Sequence, residues 1–241
     1  MKKERVYALD WIRGIAVMGM ILHHALFAVE MVGEMFGFPI TFEILQTRLF
    51  WVLQEVFVGI FLLISGICAA YSRSVLRRGL IVTGAAAAIT LVTGIILPAA
   101  GIYGLEIWFG ILHMFGLSMV LYGLFTCKKR WVPALTAAVL FVFYLTVMEC
   151  RGMPWAENVL AVIDILPEGF YSADYYPLLP YFFLYLAGTF LGPLVREHRF
   201  PQWFYTLRFR PVEWVGRHSL WIYLAHQPLI FGICFVVFYF M

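Results

Sequence analysis

The chain has 241 residues, of which 63% are hydrophobic and 13% charged, with a mean hydropathy of +0.88. A soluble domain is roughly half apolar and about a quarter charged, so the composition excludes a water-soluble globule and asks for lipid as the solvent. The formal net charge of +3 says little of partners, because the side on which charge falls outweighs its sum in a membrane protein; no nucleic-acid partner is expected.

A spanning helix needs about 20 mostly apolar residues. Seven stretches qualify: about 8–29, 49–71, 79–98, 107–126, 131–148, 177–195 and 217–240. The runs are continuous rather than alternating, and hydrocarbon admits only spans whose backbone is fully hydrogen-bonded, so they are expected to be helices. The first follows a basic start, Met1-Lys2-Lys3-Glu4-Arg5, that resembles a signal-peptide head. Arg13 at its mouth, His23-His24 within it and the lack of a small-residue cleavage site make it a retained helix. The third closes at Leu97-Pro98, and the fifth is the shortest. The segment 149–176, with Pro154, Trp155, Pro167 and Tyr171, is long enough to fold over one face as a lid or part of a site. No repeat or soluble domain interrupts the pattern, so one membrane domain, 1–241, is expected. The four cysteines, Cys68, Cys127, Cys150 and Cys234, match no disulfide or metal spacing.

Charge gives an independent test of the topology. With the N-terminus inside, Lys2, Lys3, Arg5 and Arg13, then Arg73, Arg77 and Arg78, then Lys128, Lys129 and Arg130, then Arg196, Arg199, Arg208, Arg210 and Arg217 all fall on the inner side. Only Arg48 and Arg151 fall outside, so all but two of the 17 basic residues agree. Dropping one span would scramble that alternation. The expected class is therefore all-α: a multi-pass protein of seven transmembrane helices, N-terminus inside and C-terminus outside.

Polar groups within spans are expensive and need a reason: His23, His24, Gln54, Glu55, His113, His226 and Gln227. His24 follows Arg13 by eleven residues, close to three helical turns, so both project from a similar face, whereas His23 points about 100° away. Glu55 and His113 lie about two turns into spans that come in from outside, and His24 lies five residues from the outer end of its own. The three share a depth, where a carboxylate beside a histidine supports general-base chemistry. A plain interhelical hydrogen bond explains any one such histidine equally well. Glu55 equally fits neutralising a buried cation, and the inner arginines are first of all topology signals.

Leu9-Asp10-Trp11-Ile12-Arg13-Gly14-Ile15-Ala16, followed by His24, resembles the opening of the transmembrane acyltransferases. That group includes acyltransferase 3 proteins and the catalytic domain of heparan-α-glucosaminide N-acetyltransferase. Phe57-Val58-Gly59-Ile60-Phe61-Leu62-Leu63-Ile64-Ser65-Gly66 and Phe109-Gly110-Ile111-Leu112-His113 resemble its second- and fourth-helix motifs. Asp174-Tyr175-Tyr176-Pro177-Leu178-Leu179-Pro180 and Gly216-Arg217-His218-Ser219-Leu220-Trp221-Ile222-Tyr223-Leu224-Ala225-His226-Gln227-Pro228 resemble its C-terminal part. Each motif is weak alone; five in order, over almost the whole chain, are strong, and the best fit is the compact bacterial branch related to the heparan-α-glucosaminide enzyme.

The resemblance implies transfer of an acyl group, usually acetyl from cytosolic acetyl-CoA, to a hydroxyl or amine of an extracytoplasmic glycan at the plasma membrane. It implies His24 as the catalytic histidine with Arg13 as a supporting cation, and marks His113 and His226 as motif residues. Glu55 or Asp174 is expected to orient His24 or the acceptor. Arg73, Arg77, Arg78 and Arg217, with His226, are expected at the coenzyme, and Asp174 and Tyr175 at the acceptor; no metal is expected. The chain has fewer spans than the larger relatives, so a homodimer or a partner could complete the site. A proton-coupled transporter without bond-making chemistry is the alternative, and a packed scaffold with no cavity the third reading.

Overall fold

The computed structural model describes residues 5–129 and 131–241, and so Lys2, Lys3 and Arg130 of the charge tally lie outside the described residues. Among those described there are helices and no strands. In chain order they are α1, Tyr7–Met35; α2, Arg48–Ala69; α3, Val75–Leu91, prolonged through a π turn Val92–Ile96 to Leu97–Ala99; α4, Ile111–Phe125; α5, Trp131–Glu149; α6, Pro154–Leu160; α7, Leu178–Arg196; α8, Gln202–Thr206; α9, Arg210–Arg217; and α10, Ser219–Tyr239.

Five of these are long and apolar enough to cross a membrane: Tyr7–Met35, Arg48–Ala69, Val75–Ala99, Leu178–Arg196 and Ser219–Tyr239. A chain with five such helices is a multi-pass membrane protein. The other two expected spans are helical as well but shorter in their described apolar stretches, Ile111–Phe125 and Ala138–Glu149. At a rise of about 1.5 Å per residue, α4 reaches only about 22 Å, against a hydrocarbon core of about 30 Å.

The ends of the helices have local causes. Thr47 caps α2, its hydroxyl accepting the Phe50 N–H at 3.3 Å, and Ser74 caps α3 by accepting the Arg77 N–H at 3.2 Å. That cap starts α3 at Val75, four residues before the apolar run begins. α1 runs six residues past its expected end, because nothing breaks it before Gly37, which turns with φ 81°. Conversely, 107–110 is not helical. The Asp174 carboxylate accepts the Ile111 N–H at 3.2 Å, so α4 begins only there.

The chain forms two compact units. One is Met1–Tyr71 with Gly188–Met241, the other Ser72–Ala187. In the first, α1 packs against α2, α9 and α10. The closest approach is between α1 and α9. A methyl added at Gly14 would land on the Val212 carbonyl oxygen, and one at Gly216 on the Asp10 carbonyl oxygen. Helices in lipid lack a hydrophobic drive to associate and use small residues to bring backbones together. From that contact α1 and the α9–α10 segment run parallel: Gly14 lies by Gly216, His24 by His226, and Val32 packs with Phe238. Near the start of α1, Val6, Ala8 and Leu9 bury themselves with Ile64, Ile67, Val195 and Phe204.

In the second unit α3 packs on α4 by the same device, with Gly79 against Met119 and Val120, Gly116 against Thr83, and Gly123 against Leu76. Val147, Ala156 and Leu160 join α5 to α6.

The α1–α9 contact predicts that Gly216→Ala costs about 1–3 kcal/mol, because the new methyl meets backbone that cannot move aside. Thermal unfolding in detergent checks this. Gly84→Ala, which meets nothing within 4 Å, should leave the midpoint unchanged or slightly raised.

Candidate active site

Two polar layers lie along α1. The first begins with Asp10, buried in the first turn, which accepts a hydrogen bond from Arg5 Nε at 2.7 Å and pairs with Arg13 at 3.8 Å. Arg13 also donates from Nη2 to the Cys68 thiol at 2.8 Å and from Nη1 to the Gly216 carbonyl at 3.5 Å. One guanidinium thus touches α1, α2 and the end of α9. Alongside it Glu213 has no exposed surface. It accepts the Phe209 N–H at 2.9 Å and pairs with Arg208 at 3.4 Å and Arg217 at 3.6 Å. Arg208 in turn lies 3.6 Å over the Tyr7 ring. Arg5, Arg13, Arg208 and Arg217 outnumber Asp10 and Glu213, so the layer keeps a positive balance.

About 16 Å further along α1, three turns on, His24 Nδ1 lies 3.0 Å from His226 Nε2 on α10. His226 Nδ1 is hydrogen-bonded to the Tyr223 carbonyl. The neighbouring His23 faces elsewhere, stacked on Phe50 of α2 at 5.0 Å and 15° and edge-on to Trp51. Glu55 is exposed on α2, and the rings beside His24 are those of His23 and His226.

His113, Asp174, Tyr175, Arg73, Arg77 and Arg78 belong to the second unit. There His113 uses both ring nitrogens at the start of α4. Thr90 donates its only hydroxyl proton to the Ile107 carbonyl at 2.8 Å, so the 2.9 Å contact is a His113 Nε2–H donating to Thr90 Oγ1. The Gly110 N–H then donates to Nδ1 at 3.2 Å. Asp174 spends a carboxylate oxygen on capping α4. The Tyr175 hydroxyl donates to the Ala161 carbonyl at 2.7 Å and approaches Asp164 at 3.3 Å. Burial first, and then the Asp164 charge, push its pKa up to about 12. Tyr171 reaches the Gly104 carbonyl at 3.0 Å, and the Ala173 N–H the Glu106 carbonyl at 2.8 Å, so the loop before α7 lies tied to the loop before α4. Arg73, Arg77 and Arg78 are exposed around the start of α3. Among the described residues no group of three or more His, Cys, Asp or Glu side chains could hold a metal ion.

Two members of the first unit's layers, Glu213 and Cys68, were not singled out from the sequence as site residues. The His24–His226 pairing was hidden by depth counting, since His24 is deep in its helix and His226 only two turns into its own. The usable signal was the motif glycines, because His24 and His226 each stand ten residues beyond Gly14 and Gly216.

Asp10→Asn should destabilise the protein by about 2 kcal/mol, since it leaves the mostly buried Arg13 without its carboxylate. Thermal unfolding of the two forms in the same detergent tests it; equal midpoints would show that Arg13 finds its counter-charge elsewhere.

A family model described as Heparan-alpha-glucosaminide N-acetyltransferase, catalytic, matches residues 5–228. No curated protein and no solved structure matched the chain.

Proposed function

The chain belongs to the heparan-α-glucosaminide N-acetyltransferase catalytic family, and we propose that it moves an acyl group, acetyl by the family's habit, from cytosolic acyl-CoA to a hydroxyl or amine of a glycan beyond the membrane. The observation that carries this reading is the His24–His226 pair in the apolar part of α1 and α10, above a cationic layer on the same helix.

His24 is the proposed general base, taking the acceptor's proton as its oxygen or nitrogen attacks the thioester carbonyl. The new acyl–oxygen or acyl–nitrogen bond replaces the carbon–sulfur bond, and the proton leaves with the coenzyme's thiol. Coenzyme A supplies the activated acyl group and an anionic handle. The surplus of arginine over carboxylate around α9 suits such an anion. Arg217 in the first unit, and Arg73, Arg77 and Arg78 in the second, are the cations proposed for its phosphates. Arg13 holds α1, α2 and α9 together beneath His24. Asp174 and Tyr175 shape the outer loop proposed to meet the acceptor, Glu55 is an exposed outer carboxylate able to contact it, and His113 fixes the start of α4. Residues 1–241 act as one domain in the bacterial plasma membrane, alone or as a homodimer.

For topology we propose seven spans with the N-terminus inside. Parallel packing of α1 on α10 supports an odd number, because two helices that cross in the same direction leave the chain's ends on opposite sides. In a cysteine-free background, a membrane-impermeant maleimide should label Arg151→Cys on intact cells and reach Lys129→Cys only after lysis. Labelling of both from outside would rule out a crossing by α5.

Purified protein given radiolabelled acetyl-CoA and glucosamine as the acceptor probe should form acetylglucosamine. His24→Ala should lower that rate by about a hundredfold or more. Full activity without His24 would sink the reading, as would transport of glucosamine unchanged and independent of coenzyme A, the behaviour of a carrier.

A further inference from the structure

His226 donates no group to the reaction as written, yet its bonds decide the state of the histidine that does. The Tyr223 carbonyl can only accept, so Nδ1 of His226 carries the hydrogen of that bond. A neutral imidazole has one N–H, so its Nε2 holds a lone pair. A doubly protonated His226 would place a cation within an apolar span, which lipid opposes. The 3.0 Å contact to His24 Nδ1 therefore needs a hydrogen from His24. With its hydrogen on Nδ1, His24 leaves Nε2 unprotonated, the only ring atom that can then take a proton from an acceptor.

We propose that His226 is a positioning residue that locks His24 in the Nδ1–H tautomer and so makes His24 Nε2 the base. The proposal rests on the acyl-transfer reading above and adds which nitrogen acts and what selects it. Free imidazole side chains in water favour the opposite form, Nε2–H, which has no lone pair at the position where the base is needed. When His24 Nε2 takes the acceptor's proton, Nδ1–H still points at His226 Nε2, and the bond becomes charge-assisted and stronger. The same ring thus selects the reactive tautomer beforehand and steadies the imidazolium afterwards.

The Gly14–Gly216 approach, ten residues before the pair on each segment, already fixes α1 against α9, so the bond does not have to hold the helices together. The Met20 carbonyl, one turn before His24, is the other acceptor that faces its ring. It competes for the same role and the test separates the two.

Three variants of His226 differ in what they offer Nδ1–H. Phe offers no acceptor, Asn an oxygen too short to reach, and Gln an oxygen at about the place of Nε2. Nitrogen chemical shifts of selectively labelled His24 in nanodiscs should report Nδ1–H in the parent and in His226→Gln. In His226→Phe and His226→Asn they should report mainly Nε2–H. Acetyl transfer from acetyl-CoA to glucosamine should fall about a hundredfold in kcat for Phe and Asn, with KM for acetyl-CoA unchanged, and should recover at least tenfold of that loss in Gln.

If His24 keeps Nδ1–H in folded His226→Phe, the tautomer belongs to the Met20 carbonyl and the proposal falls. It falls equally if Phe, Asn and Gln share one kcat. Should Phe fail to fold, the Asn and Gln pair decides on the same two readouts. Failure of the acyl-transfer reading looks different: either His24→Ala retains the parent rate or the parent itself transfers no acetyl, while the nitrogen shifts of His24 still report whether His226 sets the tautomer.

Discussion

Everything at the site depends on how closely α1 meets the segment α9–α10. Two glycines, Gly14 and Gly216, let backbone touch backbone there, and contact at that range fixes translation along the axes as well as separation. Once Gly216 sits against Asp10 and Gly14, parallel helices with the same rise bring every later pair into step. Ten residues on, His24 meets His226; eight further on, at the same offset, Val32 and Cys234 share one buried cluster. A bulkier residue at either glycine would widen the gap and free the helices to slide. The two rings are within hydrogen-bond distance because of a steric event about 15 Å away.

The charges in the layer around Asp10 follow from the same approach. Drawing α9 onto α1 buries Asp10 and Glu213, and a buried carboxylate is tolerated only when paired and hydrogen-bonded. Each is therefore met by two arginines: Asp10 by Arg5 and Arg13, Glu213 by Arg208 and Arg217. Pairing leaves arginine in excess. The layer is at once the seal on a helix junction and a positive surface, so the stability of α1 and the affinity of the proposed donor site draw on the same side chains. Arg13 lies on the structural side, its guanidinium held by the Gly216 carbonyl, Cys68 and Asp10.

What the sequence made legible was whatever depends on local composition. Apolar length located a helix at each of seven places, and helical periodicity separated His23 from His24, which the structure turns toward α2 and α10 respectively. Helix ends were less legible where a distant group sets them. The late start of α4 comes from Asp174, 63 residues away, and no window around Ile111 holds that information. Side-chain partnership was least legible. His24, Glu55 and His113 share a depth if counted from the ends of apolar runs, but depth carries no azimuth and ignores where the neighbouring helix begins. His226 lies only two turns into α10 because α9 occupies the layer around Asp10 and α10 starts after it. The motif glycines carry that offset, and reading them as contact points rather than as family markers recovers it.

A histidine backed by a histidine is also what lipid would select over the commoner histidine backed by a carboxylate. A carboxylate orients an imidazole well but must be held as an anion, and an unpaired anion in hydrocarbon is costly. His226 accepts from His24 through a lone pair while staying neutral, and it passes the demand for orientation to the Tyr223 carbonyl, a backbone group whose second lone pair is spare within the helix. At rest the pair adds no charge to the span. Charge arises there only when His24 takes a proton, at the moment the adjacent lone pair has most to offer. On the proposed reading, the cost of a permanent buried ion is replaced by a transient one confined to the step that needs it, and the helix register at Gly14 and Gly216 is what makes that substitution available.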